Sequence, residues 1–406
     1  MANVLVMSQK ERDFLAAIKE LARGRLSASD VAERLDVSRR HVFRLLHRYR
    51  AAGDAGLVHR LRGHPSNHGY PRRLRERVID LYWHQYRDYG PTLFAERLAE
   101  DHKISVDHET VRRWLMAAGG TNVQRKKRPH RTRRERRSAL GDLVQFDGSE
   151  HDWFEGRGPL CTLLQLIDDA SSRVFLRFVP SENTADCMRT FWDYLTRYGI
   201  PRSLYCDRGS VFFAEGGRLT DFGRAMETLG VQMIYANSPQ ARGRVERGNR
   251  THQDRLVKAL RQRHVTTIAD ANRFLENTYL EHHNSRFAHP KGLPDVHRPI
   301  PKDMDLKDIL SFQTTRYLNH DYTITLNARI IQILTGPYVL PRPTHSVIVR
   351  RYLDDSLHIF YADEELRFVL LDHKPQPKPH HPPIPQDNHP WRIAPLIGKA
   401  KRRRRR

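Results

Sequence analysis

Between Arg125 and Arg137 nine of thirteen residues are lysine or arginine, and the hydrophobic period of the chain changes across this run. Before it, apolar residues recur at helical spacing; after it, they gather in short strand-like runs. A charge run of this density interrupted by Pro129 has no apolar face to bury, so it reads as a basic tether between separately folded parts. A length of 406 residues also calls for roughly two to four domains. The run belongs to a wider excess: 70 Lys and Arg face 47 Asp and Glu, a formal charge of +23. That imbalance implies a polyanionic partner, of which nucleic acid is the usual one.

Upstream of the tether the pattern occurs twice. Phe14, Ile18 and Leu21, then Val31, Ala32 and Leu35, then Val42, Leu45, Leu46 and Tyr49 predict three helices. A tight break at Asp36-Val37-Ser38 precedes the third, Ser38 can cap it, and Arg39, Arg40, Arg44, His47 and Arg48 turn away from its apolar side. Two helices, a short turn and a basic outer face describe a helix-turn-helix whose second helix fits the major groove. From Tyr82 to Gly119 the arrangement returns: Leu93 and Leu98, a break over Lys103 to Asp107, then Val111, Trp114 and Leu115, with Arg112 and Arg113 facing outward. The expected organisation is thus an all-α tandem of DNA-binding domains, 1–60 and 71–120, followed by the linker 121–139.

Downstream, Leu143 to Phe146, Cys161 to Ile167 and Val174 to Val179 predict three strands. A helix over Thr184 to Tyr198 ends at Gly199, a fourth strand follows at Ser203 to Cys206, a helix at Asp221 to Leu229, a fifth strand at Val231 to Tyr235, and a long helix from near Arg244. The order βββαβαβα suggests a mixed sheet covered by helices, the class to which the ribonuclease H-like fold belongs. This α/β core is expected over 140–290. Renewed alternation, as in Tyr322 to Leu326 and Val347 to Tyr352, predicts a small antiparallel β-barrel over 306–371. The Pro- and His-rich tail 372–406, ending in Arg402 to Arg406, cannot bury a core and is expected to be disordered.

Three carboxylates stand where elements end or begin: Asp147 after the first strand, Asp207 after the fourth, Glu246 in the first turns of the long helix. If strands one and four are neighbours, both aspartates emerge at one edge and the helix can return the glutamate to them. Converging carboxylates repel and need cations; oxygen ligands favour two Mg²⁺ or Mn²⁺ ions, which suit phosphodiester chemistry without a protein nucleophile. Taken singly, each residue has an ordinary role, the aspartates in turns and the glutamate at a helix dipole.

The surrounding runs add to this. Asp207-Arg208-Gly209-Ser210-Val211-Phe212 and Asn237-Ser238-Pro239-Gln240-Ala241-Arg242-Gly243-Arg244-Val245-Glu246-Arg247-Gly248-Asn249-Arg250 resemble the integrase catalytic core shared by insertion-sequence transposases and retroviral integrases. The layout of the whole chain resembles the ISNCY group of bacterial transposases. The resemblance implies that Asp147, Asp207 and Glu246 are catalytic metal ligands, that Asn249 and Arg250 on the exposed side of the same helix contact DNA, and that a homo-oligomer acts on transposon ends and target DNA. It implies a DDE transposase that hydrolyses a phosphodiester and uses the freed 3′ hydroxyl for strand transfer. A ribonuclease H-like nuclease or an inactive DNA-binding regulator would share parts of the pattern; two upstream DNA-reading modules argue against the first and an intact triad against the second.

Other chemistries find little support. Asp168 and Asp169 sit in what reads as a hairpin turn and are weak rivals for a metal. Cys161, Cys187 and Cys206 are widely spaced and expected to be reduced core residues, and no Cys pair completes a zinc site around the 23 histidines. No Walker A run binds a nucleotide and no apolar run spans a membrane. The expected location is cytoplasmic and DNA-associated.

Overall fold

The computed structural model describes residues 5–60, 69–120, 135–235 and 243–371. The chain divides into two compact units, residues 1–129 and 130–406. Most of the basic tether and the whole tail after Leu371 lie outside the described residues, and so does the expectation of disorder for that tail.

The first unit is helical. α1 (Gln9–Ala22), α2 (Ala28–Arg34) and α3 (Arg39–Ala52) close around Ile18, Val31, Val42, Leu45 and Leu57. Ser38 accepts from the backbone N–H of His41 and so starts α3 after the short break, its hydroxyl meeting an amide that the first turn of a helix leaves without an intrahelical partner. A second bundle follows with α4 (Arg72–Gln85), α5 (Pro91–His102) and α6 (His108–Ala117). Its core is Val78, Tyr82, Phe94, Leu98, Val111 and Leu115. Asp107 caps α6 by accepting from Glu109 N.

The second unit is built on a five-stranded sheet of β1 (Val144–His151), β2 (Cys161–Asp168), β3 (Val174–Val179), β4 (Ser203–Cys206) and β5 (Gln232–Tyr235), ordered β3-β2-β1-β4-β5. β1, β2 and β3 pair antiparallel as a meander, while β4 joins β1 and β5 joins β4 in parallel. The parallel pairings need helical crossovers, here α7 (Thr184–Tyr198) and α8 (Asp221–Thr228). Phe146, Phe212, Phe191 and Phe222 meet where these helices cover the sheet. α9 (Gly243–Gln262) contacts β1 and β2. α10 (Ile268–Phe274) and α11 (Leu280–Phe287) are joined by the π turn Leu275–Tyr279. This is the mixed sheet covered by helices that the element order predicts.

β3 is an edge strand, and its free backbone groups are met by two amides. Asn272 bonds both the N–H and the C=O of Phe178, at 2.7 and 2.9 Å, and Asn284 does the same at Val174, at 2.8 and 2.9 Å. Each amide mimics a strand neighbour and closes the edge to further pairing.

The short helix α12 (Leu306–Ile309) adds Leu306 and Ile309 to the core of the sheet. The seven strands after it are β6 (Phe312–Tyr317), β7 (Thr323–Leu326), β8 (Arg329–Ile333), β9 (Ser346–Arg351), β10 (Leu357–Tyr361), β11 (Glu364–Leu366) and β12 (Phe368–Leu371). They do not close into the expected barrel. Among the described residues they form two sheets, β11-β10-β9-β6 and β12-β8-β7, which share a core of Ile324, Ile331, Val347, Val349 and Ile359. Alternation tells a strand which side to bury; a second sheet buries that side as well as closure does.

Candidate active site

Register directs the first two carboxylates to one end of the sheet. β1 and β4 run parallel with Val144 beside Leu204 and Gln145 beside Tyr205, and the same register carried two residues on, past the end of β4, points Asp147 and Asp207 the same way. Asp147 does not end its strand, as the sequence pattern implied: β1 continues to His151, paired with β2 throughout. It stands instead where β4 stops. Asp147 is only 9% exposed, and its Oδ2 accepts from Asn249 Nδ2 at 2.8 Å. Asp207 Oδ1 accepts from Gly209 N at 2.8 Å, a turn that holds the carboxylate just beyond β4.

Beneath α9 the sheet is polar where a covered sheet is usually apolar. Gln145, Asp147 and Ser149 alternate along β1, and Gln165 stands opposite Asp147 on β2; all four are buried. The helix meets them one by one. Arg244 pairs with Asp169, both its carboxylate at 2.5 Å and its backbone oxygen at 2.8 Å. Asn249 takes Asp147, and Gln253 donates to Ser149 Oγ at 3.1 Å. Gly248 lies so close to Gln165 that an added Cβ would stand 2.5 Å from its Nε2. On the far side His252 shares a 3.0 Å hydrogen bond with the hydroxyl of Tyr279.

Asn249 was expected on the exposed side of the helix; it faces the sheet and binds the first aspartate. Its sequence position cannot show this, because the rotation of a helix about its axis is set by packing. Glu246, three residues earlier and so a neighbour of Asn249 on the helix surface, is exposed, as is Arg250. Among the described residues no three His, Cys, Asp or Glu side chains gather closely enough to hold a metal ion. The pair Asp147 and Asp207 nevertheless suits a hard divalent cation by donor chemistry, and beside it the buried Oδ1 of Asn249 and both amide atoms of Gln165 have no hydrogen-bond partner among the described residues.

A fourth carboxylate escaped the sequence reading. Glu182 follows β3 and leans over β1, where its carboxylate leaves no room for a Cβ on Gly148. Burial of that carboxyl, with Asp207 and Glu150 nearby, pushes its pKa up. The one available signal was its place at the end of a strand, the same signal that singled out Asp207. Asp168 and Asp169 are accounted for differently. Asp168 accepts from Ser171 N and Oγ and from Gly141 N, and Asp169 from Gln145, Arg137 N and Arg244. Their lone pairs serve the turn and the seat of α9.

On the helical unit, α3 presents Arg39, Arg40 and Arg44 to solvent, but Arg48 is half-buried and donates to Val58 O at 2.8 Å, which ties α3 to the following turn. Arg112 and Arg113 of α6 are exposed; Arg112 is held in a two-pronged pair with Glu109 at 2.6 and 2.7 Å. No helix among the described residues is long and apolar enough to cross a membrane.

Known proteins resemble this chain in both units. Two family models, each described as a homeodomain-like domain, match residues 8–58 and 41–115. The transposase-family protein y4bF of Sinorhizobium fredii (strain NBRC 101917 / NGR234) is 37% identical over 91% of this chain and 82% of its own length. The transposase for insertion sequence IS1202 of Streptococcus pneumoniae is 27% identical over 93% of this chain and 92% of its own. Among solved structures, the HTLV-2 integrase catalytic core domain in complex with magnesium is 17% identical over 35% of this chain and 90% of that one, with a TM-score of 0.29. The simian T-cell lymphotropic virus intasome in complex with PP2A regulatory subunit B56 gamma is 16% identical over 72% and 99%, with a TM-score of 0.33.

Proposed function

Because the chain belongs to the transposases of insertion sequences, we propose that its helical unit binds the ends of the mobile element while Asp147, Asp207 and Glu246 form the centre that cleaves and joins DNA. The observation that supports this reading is the parallel pairing of β1 with β4, whose register points Asp147 and Asp207 to one end of the pair, with Asp147 bonded to Asn249 on the helix that bears Glu246. The three carboxylates would hold two Mg²⁺ or Mn²⁺ ions, which when bound supply a Lewis acid at phosphorus and an activated oxygen nucleophile.

The chain's own groups have separate tasks. Asn249 fixes the orientation of Asp147, and the Arg244–Asp169 pair fixes the start of α9 and so the reach of Glu246. Burial beside Asp207 and Glu150 pushes the pKa of Glu182 up, so its charged form would be favoured by a cation bound between it and Asp207. Arg250, exposed one turn after Glu246, faces the approach of DNA, and Arg39, Arg40, Arg44, Arg112 and Arg113 supply phosphate and base contacts. Two DNA ends must be joined in one event, which calls for a homo-oligomer on DNA.

The test is Mg²⁺-dependent strand transfer on duplexes carrying the element's terminal sequence, with Asp147→Asn, Asp207→Asn and Glu246→Gln. Each should lose activity by orders of magnitude, since a lost carboxylate weakens charge stabilisation at phosphorus. Duplex binding should persist. Near-normal activity of Glu246→Gln beside two dead aspartate variants would remove Glu246 from the centre and turn attention to Glu182. Metal-dependent cleavage without joining would favour a nuclease instead.

A further inference from the structure

α3 contains no acidic residue, and its outer surface carries one side chain that charge does not explain. Val42, Leu45 and Leu46 form the inward stripe, while Arg39, Arg40, Phe43, Arg44 and His47 are exposed. Phe43 is 52% exposed, with Arg39 four residues before it, Arg40 three before and His47 four after. On a helix those are its surface neighbours, so the ring stands in the middle of a cationic patch. The bundle core is complete without it.

The arginines select a polyanion, but phosphates have no use for a phenyl ring. In the major groove of DNA the apolar group on offer is the C5-methyl of thymine, which phenylalanine is suited to contact. We propose that Phe43 is a specificity-determining residue that reads a thymine methyl in the major groove, with Arg39, Arg40 and Arg44 seated on the flanking phosphates and base edges. The inference rests on the reading that the helical unit binds element ends and adds which base feature it reads.

The experiment uses the full chain and a pool of randomised duplexes. Sequences that the protein enriches are footprinted, and each thymine in the protected region is replaced in turn by deoxyuridine, which lacks only the methyl. One thymine should show a loss of about fourfold in affinity for the unaltered protein, the factor one buried methyl group supplies. At that position Phe43→Ala should bind the thymine and uracil duplexes equally, and Phe43→Leu should retain part of the difference. Since Phe43 is outside the core, both variants should melt with the parent protein. If Phe43→Ala keeps the parent's thymine-to-uracil ratio at every position, Phe43 does not read a methyl, although binding of the ends stands. If no sequence is enriched, the end-binding reading fails and the Phe43 assignment with it.

Discussion

Gly248 shows how one residue sets the seat of α9. Its Cα faces the amide end of Gln165, which is wholly buried, so an added Cβ would stand 2.5 Å from Nε2 unless that side chain shifts within the core. In an exposed helix Gly→Ala gains up to about 1 kcal/mol from backbone entropy. Here the collision should outweigh that gain, at roughly 1–3 kcal/mol for an overfilled contact. Gly248→Ala should therefore melt lower than the parent protein and lose strand transfer, and adding Gln165→Ser should restore much of both. A Gly248→Ala protein that melts higher would mean that Gln165 yields to the added methyl group and that the contact does not set the seat of α9. The sequence placed Gly248 and Asn249 next to Glu246, but the close approach and the bond to Asp147 depend on which side of α9 meets the sheet, and no local pattern records that.

At the scale of elements, α9 and α11 pack through buried histidines. His283 is held to a pKa of about 4 by burial, with Arg255 and His282 adding positive charge nearby, and burial likewise takes His252 well below the ordinary value. Both rings are therefore neutral in the folded protein at neutral pH. Their folded pKa lies below the unfolded value near 6.5, so the unfolded chain takes up protons first as pH falls. Stability is complete above about pH 6.5 and declines toward pH 4, by about 3 kcal/mol for His283 over the full range. The melting temperature of the catalytic unit should drop between pH 7.5 and 5. His283→Phe, which keeps the ring contacts with Tyr279 and Phe287, should flatten that drop, with His252 accounting for what remains. An unchanged pH slope in the variant would sink this account. The sequence pattern foretold a long helix from near Arg244 but not its partnership with α11, because histidine carries no mark of whether it will be buried.

Across the whole molecule, the charge of +23 governs how the chain meets DNA. Each phosphate neutralised should contribute a slope of about −0.9 in log affinity against log salt. Affinity for DNA should fall steeply with salt, and removing Arg402 to Arg406, beyond the described residues, should flatten the slope while the preferred sequence stays the same. A changed preference after that deletion would assign the tail to base reading. The measurement is a salt titration of binding to an enriched and a scrambled duplex.

What the sequence by itself determined is what short-range physics can write. Period specifies α1, α2 and α3, with Ser38 capping the last, and the break before α6, which Asp107 caps. Apolar runs specify the strands of the mixed sheet, and composition specifies a polyanionic partner. Tertiary structure decided the rest, where the determining contacts join residues far apart in the chain. It carried β1 past Asp147 to His151 through pairing with β2, and it turned Asn249 inward. It drew Glu182 over Gly148, set Asp168 and Asp169 to hold a turn and a helix, and left the last seven strands as two sheets with a common core. Alternation and helical period state which side of an element is apolar; which polar groups then meet beneath α9 follows only when the sheet register and the helix rotation are satisfied together.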